Sequence, residues 1–373
     1  MRALLGMLAV MVLAGCGSGF CLSYTDCTGE GMICGGDFRC QLDPDFHPCK
    51  SDGYGDLEGK VCAPNRATPI PDAVVSIDTD EGTFTARTDA KGQFTLISVP
   101  AGKHTVRYTA GKFAGEKEEV EICADDTRII GQAPGSTVAP TLRASCLPVN
   151  DDQDLGVVTG SYDQIQEVLN RLGFRNLALV TGEDGSWKNS LLQDFAELSK
   201  HDVVFINCGV GDAFFADAAE SQVAVQNLRQ FVAGGGSVYA SDWAYTVVEA
   251  TWPEAIDYYG DDAVFGAARG AAAAEDVTAV VAEPALRDAL GTSQMKVNFN
   301  LGAWVAMVDA APSTKVYVRG PATVGSEQLT NIPYVAGFKP VGGGGNVIYT
   351  SFHQEAQTTR HMDMILELLV FQL

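Results

Sequence analysis

"NLRQFVAGGGSVYASDWAY", residues 227–245, decides how the larger part of this chain folds. It closes a helical stretch that contains Val223, Val225, Leu228 and Phe231. Gly234-Gly235-Gly236 ends that helix, because a residue without Cβ is the usual stop. Ser237-Val238-Tyr239-Ala240 then reads as a short buried strand, and polar Ser241-Asp242-Trp243 marks where it stops. Helix, glycine stop and apolar strand in that order make the repeating unit of a parallel sheet.

The same unit recurs on both sides. "LGVVTGSYDQIQEVLNRLGF" is an apolar strand, a Gly-Ser turn and a helix with Ile165, Val168, Leu169 and Leu172 on one face. Ser161 and Gln164 have the spacing of a capping box. Further strands at Leu177–Val180 and Val203–Asn207 end at Thr181-Gly182-Glu183-Asp184 and Cys208-Gly209. A last one, Val347–Thr350, delivers Ser351-Phe352-His353. Such strands, apolar throughout, are covered by helices on both faces.

Ligands of such sheets bind beyond the carboxyl ends of the strands, where strand order reverses. The candidate binding rim is therefore Ser161, Asp163, Glu183, Asp184, Asn207, Trp243 and Tyr245. Strand ends are also polar for a plainer reason, since their backbone meets water or a helix cap. Trp243, Tyr245 and Trp252 either line a sugar-binding crevice or cap a helix–sheet junction. No cofactor and no metal is expected, because a hard cation needs several oxygens converging from separate loops.

Upstream, from Leu57, the texture changes to short alternating runs such as Val74–Thr79, broken by Asp89-Ala90-Lys91-Gly92 and Pro100-Ala101-Gly102. Many short strands without a helical period predict a β-sandwich. Gly59-x-Val61, Pro71-x-Ala73-x-Val75, Thr88-Asp89-x-x-Gly92-x-Phe94 and Val99-Pro100-x-Gly102-x-His104 resemble the carboxypeptidase regulatory-like, transthyretin-like domain. The resemblance implies a spacer or folding module; a carbohydrate- or protein-binding sandwich is the alternative.

The chain opens Met1-Arg2, runs apolar from Ala3 to Leu13 and then reads Leu13-Ala14-Gly15-Cys16. One basic residue, a short apolar core and small residues make a secretory signal. The Cys after Leu-Ala-Gly resembles the lipobox of bacterial lipoproteins. That implies thioether attachment of a diacylglycerol to Cys16, cleavage before it, acylation of the new amino terminus with a chain such as palmitate, and a lipid anchor as the contact with the membrane. Gly17-Ser18 beside it favours the outer membrane in that family. Export permits disulfides. Of ten cysteines, Cys16 takes the lipid, and Cys21, Cys27, Cys34, Cys40, Cys49, Cys62, Cys123 and Cys146 are the disulfide candidates. Their connectivity stays open, within 21–62 and between Cys123 and Cys146. Cys208, inside an apolar run, is the expected free thiol. A formal charge of −22 argues against a nucleic-acid partner and against a basic membrane-binding face.

"HDVVFINCG", "NLRQFVAGGGSVYASDWAY" and "GGNVIYTSFHQE" resemble the class I glutamine amidotransferase-like superfamily, in its trehalose-utilisation-type branch. The family's triad is a Cys at a strand-to-helix elbow with a His and a Glu from a Phe-His-Pro-Glu motif. Phe352-His353-Gln354-Glu355 departs from that motif at Gln354. The elbow falls at Ala240-Ser241-Asp242-Trp243-Ala244, where there is no Cys. An elbow needs very small neighbours two positions either side of its tip, so Ala240 and Ala244 place Asp242 there.

The expected architecture is multidomain: a Cys-rich module, an all-β transthyretin-like sandwich and an α/β flavodoxin-like three-layer domain. The boundaries are 1–15 signal peptide, 16–55 lipidated stalk, 56–123 sandwich, 124–154 linker and 155–373 amidotransferase-like domain. The expected function is non-catalytic binding of a glycan or an envelope protein at the strand-end rim, in an exported, lipid-anchored protein of the cell envelope. The alternative is a serine hydrolase or amidase using Ser241, His353 and Glu355, with Asp242 beside them.

Overall fold

The computed structural model describes residues 32–34, 39–42, 49–131, 146–182, 184–209, 218–260, 274–340, 344–352 and 359–373. In chain order, β1 (Met32–Cys34) and β2 (Cys40–Leu42) form a small antiparallel pair. Eight strands then build the sandwich: β3 (Tyr54–Cys62), β4 (Val74–Thr79), β5 (Gly82–Arg87), β6 (Gln93–Pro100), β7 (Gly102–Ala110), β8 (Phe113–Ile122), β9 (Thr127–Ile129) and β10 (Cys146–Pro148). One sheet runs β10-β3-β6 with β9 also on β3; the other runs β5-β4-β7-β8. Val75 and Ile77 of β4, Phe94 and Leu96 of β6, and Val106 and Tyr108 of β7 face the core between them. That is the period-two burial a pleated strand imposes.

Residues 124–154, expected as a linker, contribute two of those strands. β9 pairs parallel with Asp56–Glu58 and β10 with Lys60–Cys62. The disulfides fix this course. Cys49 is bonded to Cys123 and Cys62 to Cys146, so the expected pairing of Cys123 with Cys146 is corrected. Cys34 and Cys40 are also disulfide-bonded, whereas Cys16, Cys21 and Cys27 lie outside the described residues.

The C-terminal unit is a nine-stranded mixed sheet in the order β12-β11-β13-β14-β21-β20-β19-β16-β17. Its parallel half is β11 (Leu155–Thr159), β12 (Leu177–Thr181), β13 (Val203–Ile206), β14 (Ser237–Ser241) and β21 (Val347–Thr350). Every residue of β13, β14 and β21 is buried, as central strands covered on both faces must be.

The expected parallel sheet accounts for five of the nine strands, and four strands that were not expected extend it. β16 (Glu275–Val281), β17 (Gln294–Phe299), β19 (Lys315–Val324) and β20 (Glu327–Phe338) run antiparallel. In β16, Val277, Ala279 and Val281 are buried between exposed neighbours, the mark of a half-covered antiparallel strand. β15 (Ile256–Tyr258) and β18 (Met307–Ala310) pair separately.

Helices Ile165–Leu172, Ala218–Ala233, Tyr245–Thr251, Pro284–Leu290 and Arg360–Val370 flank the sheet. The first buries Ile165, Val168, Leu169 and Leu172 as expected, and Gly173 closes it in the left-handed conformation at φ +101°. The capping box does not form. The helix begins four residues after Ser161, Gln164 takes the cap position, and no side chain caps it. Asp163 instead accepts from the Gln164 amide (2.8 Å) and turns its other oxygen inward.

The sandwich and the mixed sheet share apolar packing. The Phe113 ring lies 4.9 Å from that of Phe174 and 5.4 Å from that of Phe371. The Asn65 amide also donates across to the Leu172 carbonyl (2.8 Å).

Candidate functional site

Strand order reverses between β11 and β13, because the chain leaves β11 for β12 on one side and returns to β13 on the other. The loops at such a point usually splay into a crevice. Here they touch. A Cβ on Gly160 would stand 1.9 Å from the Cys208 carbonyl oxygen, so only glycine allows the approach.

β14 ends in an elbow. Asp242 sits at φ +42° and opens a single turn of 3-10 helix, Asp242–Ala244, that leads into Tyr245–Thr251. Ala240 and Ala244 are both fully buried on either side, as the sequence required of a tight turn. Left-handed backbone at a residue with a side chain is strained, and Asp tolerates it better than most.

The elbow carboxylate is committed inside the protein. Asp242 is 4 % exposed. Its Oδ1 accepts from the Val305 amide at 2.8 Å and its Oδ2 from the Cys208 thiol at 3.4 Å. The Tyr349 hydroxyl donates to the Asp242 carbonyl at 2.9 Å. Ser241 is equally engaged: its Oγ accepts from the Cys208 amide (3.0 Å) and donates to Asp163 Oδ2 (2.5 Å). Asp163, Ser241, Cys208 and Asp242 thus form one buried chain of hydrogen bonds across the ends of β11, β13 and β14.

The electrostatics keep the thiol neutral. Burial, and then the adjacent Asp242 charge, push Cys208 well above the usual 9.0. A protonated thiol is the form that donates to Asp242, and it is not a nucleophile. Next along the rim, the Thr350 hydroxyl gives its proton to the Phe352 carbonyl (2.8 Å) and meets the Tyr239 hydroxyl at 2.9 Å. Burial drives Tyr239 far above its usual 10.0.

The expected rim residues separate by accessibility. Asp163, Asn207 and Tyr245 are buried; Ser161 and Asp184 are exposed, and Trp243 is half-buried. Asp163 and Asn207 therefore serve the interior, the first through Ser241 and the second through Gln166, whose Oε1 accepts from Asn207 Nδ2 at 3.1 Å. Tyr245 and Trp252 pack inside, against Tyr258 (5.3 Å) and Phe338 (5.8 Å). Glu183, His353 and Glu355 lie outside the described residues. β21, which precedes His353, is the direct neighbour of β14, with Thr350 opposite Ser241.

Two participants were not foreseen. Among the described residues Cys208 is the free thiol, and it is buried, but its contact with the elbow depends on β13 lying beside β14. Val305 contributes a backbone amide, and such a donor leaves no mark in residue type. The same segment holds Trp243, whose Nε1 donates to the Ala303 carbonyl (3.1 Å).

A family model of the carboxypeptidase regulatory-like domain matches residues 56–131. Residues 56–131 form a carboxypeptidase regulatory-like domain. The match takes in β9, in keeping with its pairing to β3. No curated protein matches the chain. Among solved structures, a cytoplasmic protein of Salmonella typhimurium is 13% identical, with 59% of this chain and 96% of that one covered at a TM-score of 0.41. A candidate GMP synthase component of Thermoplasma acidophilum is 10% identical over 58% of this chain and 92% of its own, at a TM-score of 0.36.

Proposed function

We propose that the chain is an exported, lipid-anchored envelope protein that binds a glycan at the strand-end rim. Its mixed-sheet unit is a class I glutamine amidotransferase-like domain converted from catalysis to recognition. The parallel half supports that fold reading: numbered from β11, its strands stand in the order 2-1-3-4-5, which is the flavodoxin-like order. The observation that carries the functional reading is the Asp242 elbow. The tip carries no thiol or hydroxyl, and both carboxylate oxygens are spent on Val305 and Cys208. Ser241 directs its one proton at a carboxylate, leaving none for an imidazole to take. Trp243 lies half-buried beside the elbow, and an aromatic side chain at that place suits a sugar ring.

The test has three parts. A fluorophosphonate probe and iodoacetamide leave native Ser241 and Cys208 unlabelled. Labelling at Ser241 that His353→Ala abolishes would overturn the non-catalytic reading. Titration with peptidoglycan fragments changes tryptophan fluorescence saturably, and Trp243→Ala removes the change; a flat titration sinks the glycan assignment. Labelled palmitate enters the protein and is lost in Cys16→Ser; incorporation that survives the substitution refutes the anchor.

A further inference from the structure

The two edges of the mixed sheet are treated differently. β17 carries Lys296 exposed at its centre, and the Thr359 hydroxyl donates to the Lys296 carbonyl (3.0 Å), covering part of that edge. A central lysine and a covering side chain are the usual protections of an open strand edge. β12, Leu177-Ala178-Leu179-Val180-Thr181, has no charge and no proline, and Leu179 is 59% exposed. Among the described residues no strand other than β11 pairs with it.

The backbone direction of β12 follows from its neighbour. The Val158 carbonyl of β11 accepts from the Asn207 amide (3.1 Å) and so faces β13. Alternate residues of β11 therefore face β12, and the Thr159 hydroxyl reaches the Val180 carbonyl at 3.3 Å. With Val180 turned inward, the amide and carbonyl groups of Leu177, Leu179 and Thr181 point to the open edge.

We propose that β12 pairs antiparallel with β12 of a second copy of this chain, across a two-fold axis at Leu179. That register is self-complementary. Leu179 exchanges both backbone bonds with its mate, and Leu177 meets Thr181 from either side, for about six inter-chain hydrogen bonds. The flanks match in charge as well. Exposed Arg175 of one copy comes to the strand end that carries exposed Asp184 in the other. Pairing also sets the two Leu179 side chains side by side on one face, which takes part of each from water. A single short strand pair buries less than the roughly 1,200 Å² of a standard interface, and each copy carries −22. The association is accordingly weak, and added salt strengthens it by screening the repulsion.

The experiment uses the purified full chain. In a hydrogen-bonded antiparallel pair the facing Cα atoms lie about 5.5 Å apart, within disulfide reach. Mild oxidation of Leu179→Cys therefore yields a covalent dimer joined at position 179, while Val308→Cys, also exposed, yields none. In sedimentation velocity, Leu179→Lys weakens self-association at least tenfold without changing the unfolding midpoint. A Leu179→Cys chain that stays uncross-linked, or cross-links no more than Val308→Cys, overturns the proposal. So does wild-type protein that remains monomeric at every concentration reached, or that associates as tightly as Leu179→Lys.

Discussion

Replacing Asp242 by asparagine, glycine and alanine separates the two physical demands at the elbow. Alanine leaves the buried Val305 amide without an acceptor, at about 1–3 kcal/mol. It also puts a Cβ-bearing residue with no local hydrogen bond at φ +42°, for about 1–2 kcal/mol more. The expected loss is about 2–5 kcal/mol, or about 4–20 °C in midpoint for a unit of this size. Glycine removes the backbone strain but still orphans Val305, so it loses only about 1–3 kcal/mol. Asparagine tolerates the left-handed region and keeps an oxygen for Val305, and its loss stays under about 1 kcal/mol. Thermal or urea unfolding followed by circular dichroism should rank the variants asparagine, glycine, alanine from most to least stable. Glycine as damaging as alanine would refute the conformational part of the reasoning. Asparagine as damaging as alanine would refute the part that rests on Val305.

Peptide mapping without reductant should recover Cys49 with Cys123 and Cys62 with Cys146. Replacing both Cys62 and Cys146 by alanine opens a loop with a sequence separation of 84, which lowers stability by about 4 kcal/mol; an unchanged unfolding midpoint contradicts this. Gly160→Ala drives a Cβ into the Cys208 carbonyl, and a soluble variant of wild-type midpoint would show that the two loops are not in contact. Alkaline pH destabilises the fold through Cys208, Tyr239, Tyr258 and Tyr349, all raised by burial. For such acids the native state holds its proton longer, so their stabilisation is complete below the unfolded values of 9.0 and 10.0 and declines as pH climbs past them. Cys208 should resist thiol reagents, and phenolate absorbance from the three tyrosines should appear only with unfolding; a smooth native titration near their usual values refutes the burial argument.

Some of this was legible in contiguous residues. The strands β13, β14 and β21 were readable because a strand buried on both faces has a continuous apolar run. The first helix was readable from one apolar stripe, although its capping pair did not form, since Asp163 was drawn to Ser241. The antiparallel half of the sheet was harder to read, because half-buried alternation resembles ordinary surface variation. Residues 124–154 look polar and proline-rich, yet disulfides and strand pairing hold parts of them against β3.

The sequence by itself determined where the chain bends: Ala240 and Ala244 are the small neighbours that let Asp242 take the tip, and steric rules of that kind act within a few residues. Only the tertiary structure decided what the tip does. Asp242 meets Cys208 and Val305 from 34 and 63 residues away, and Ser241 meets Asp163 from 78. Those partners are chosen by strand order, and strand order is fixed by the packing of the whole sheet rather than by any one segment of it.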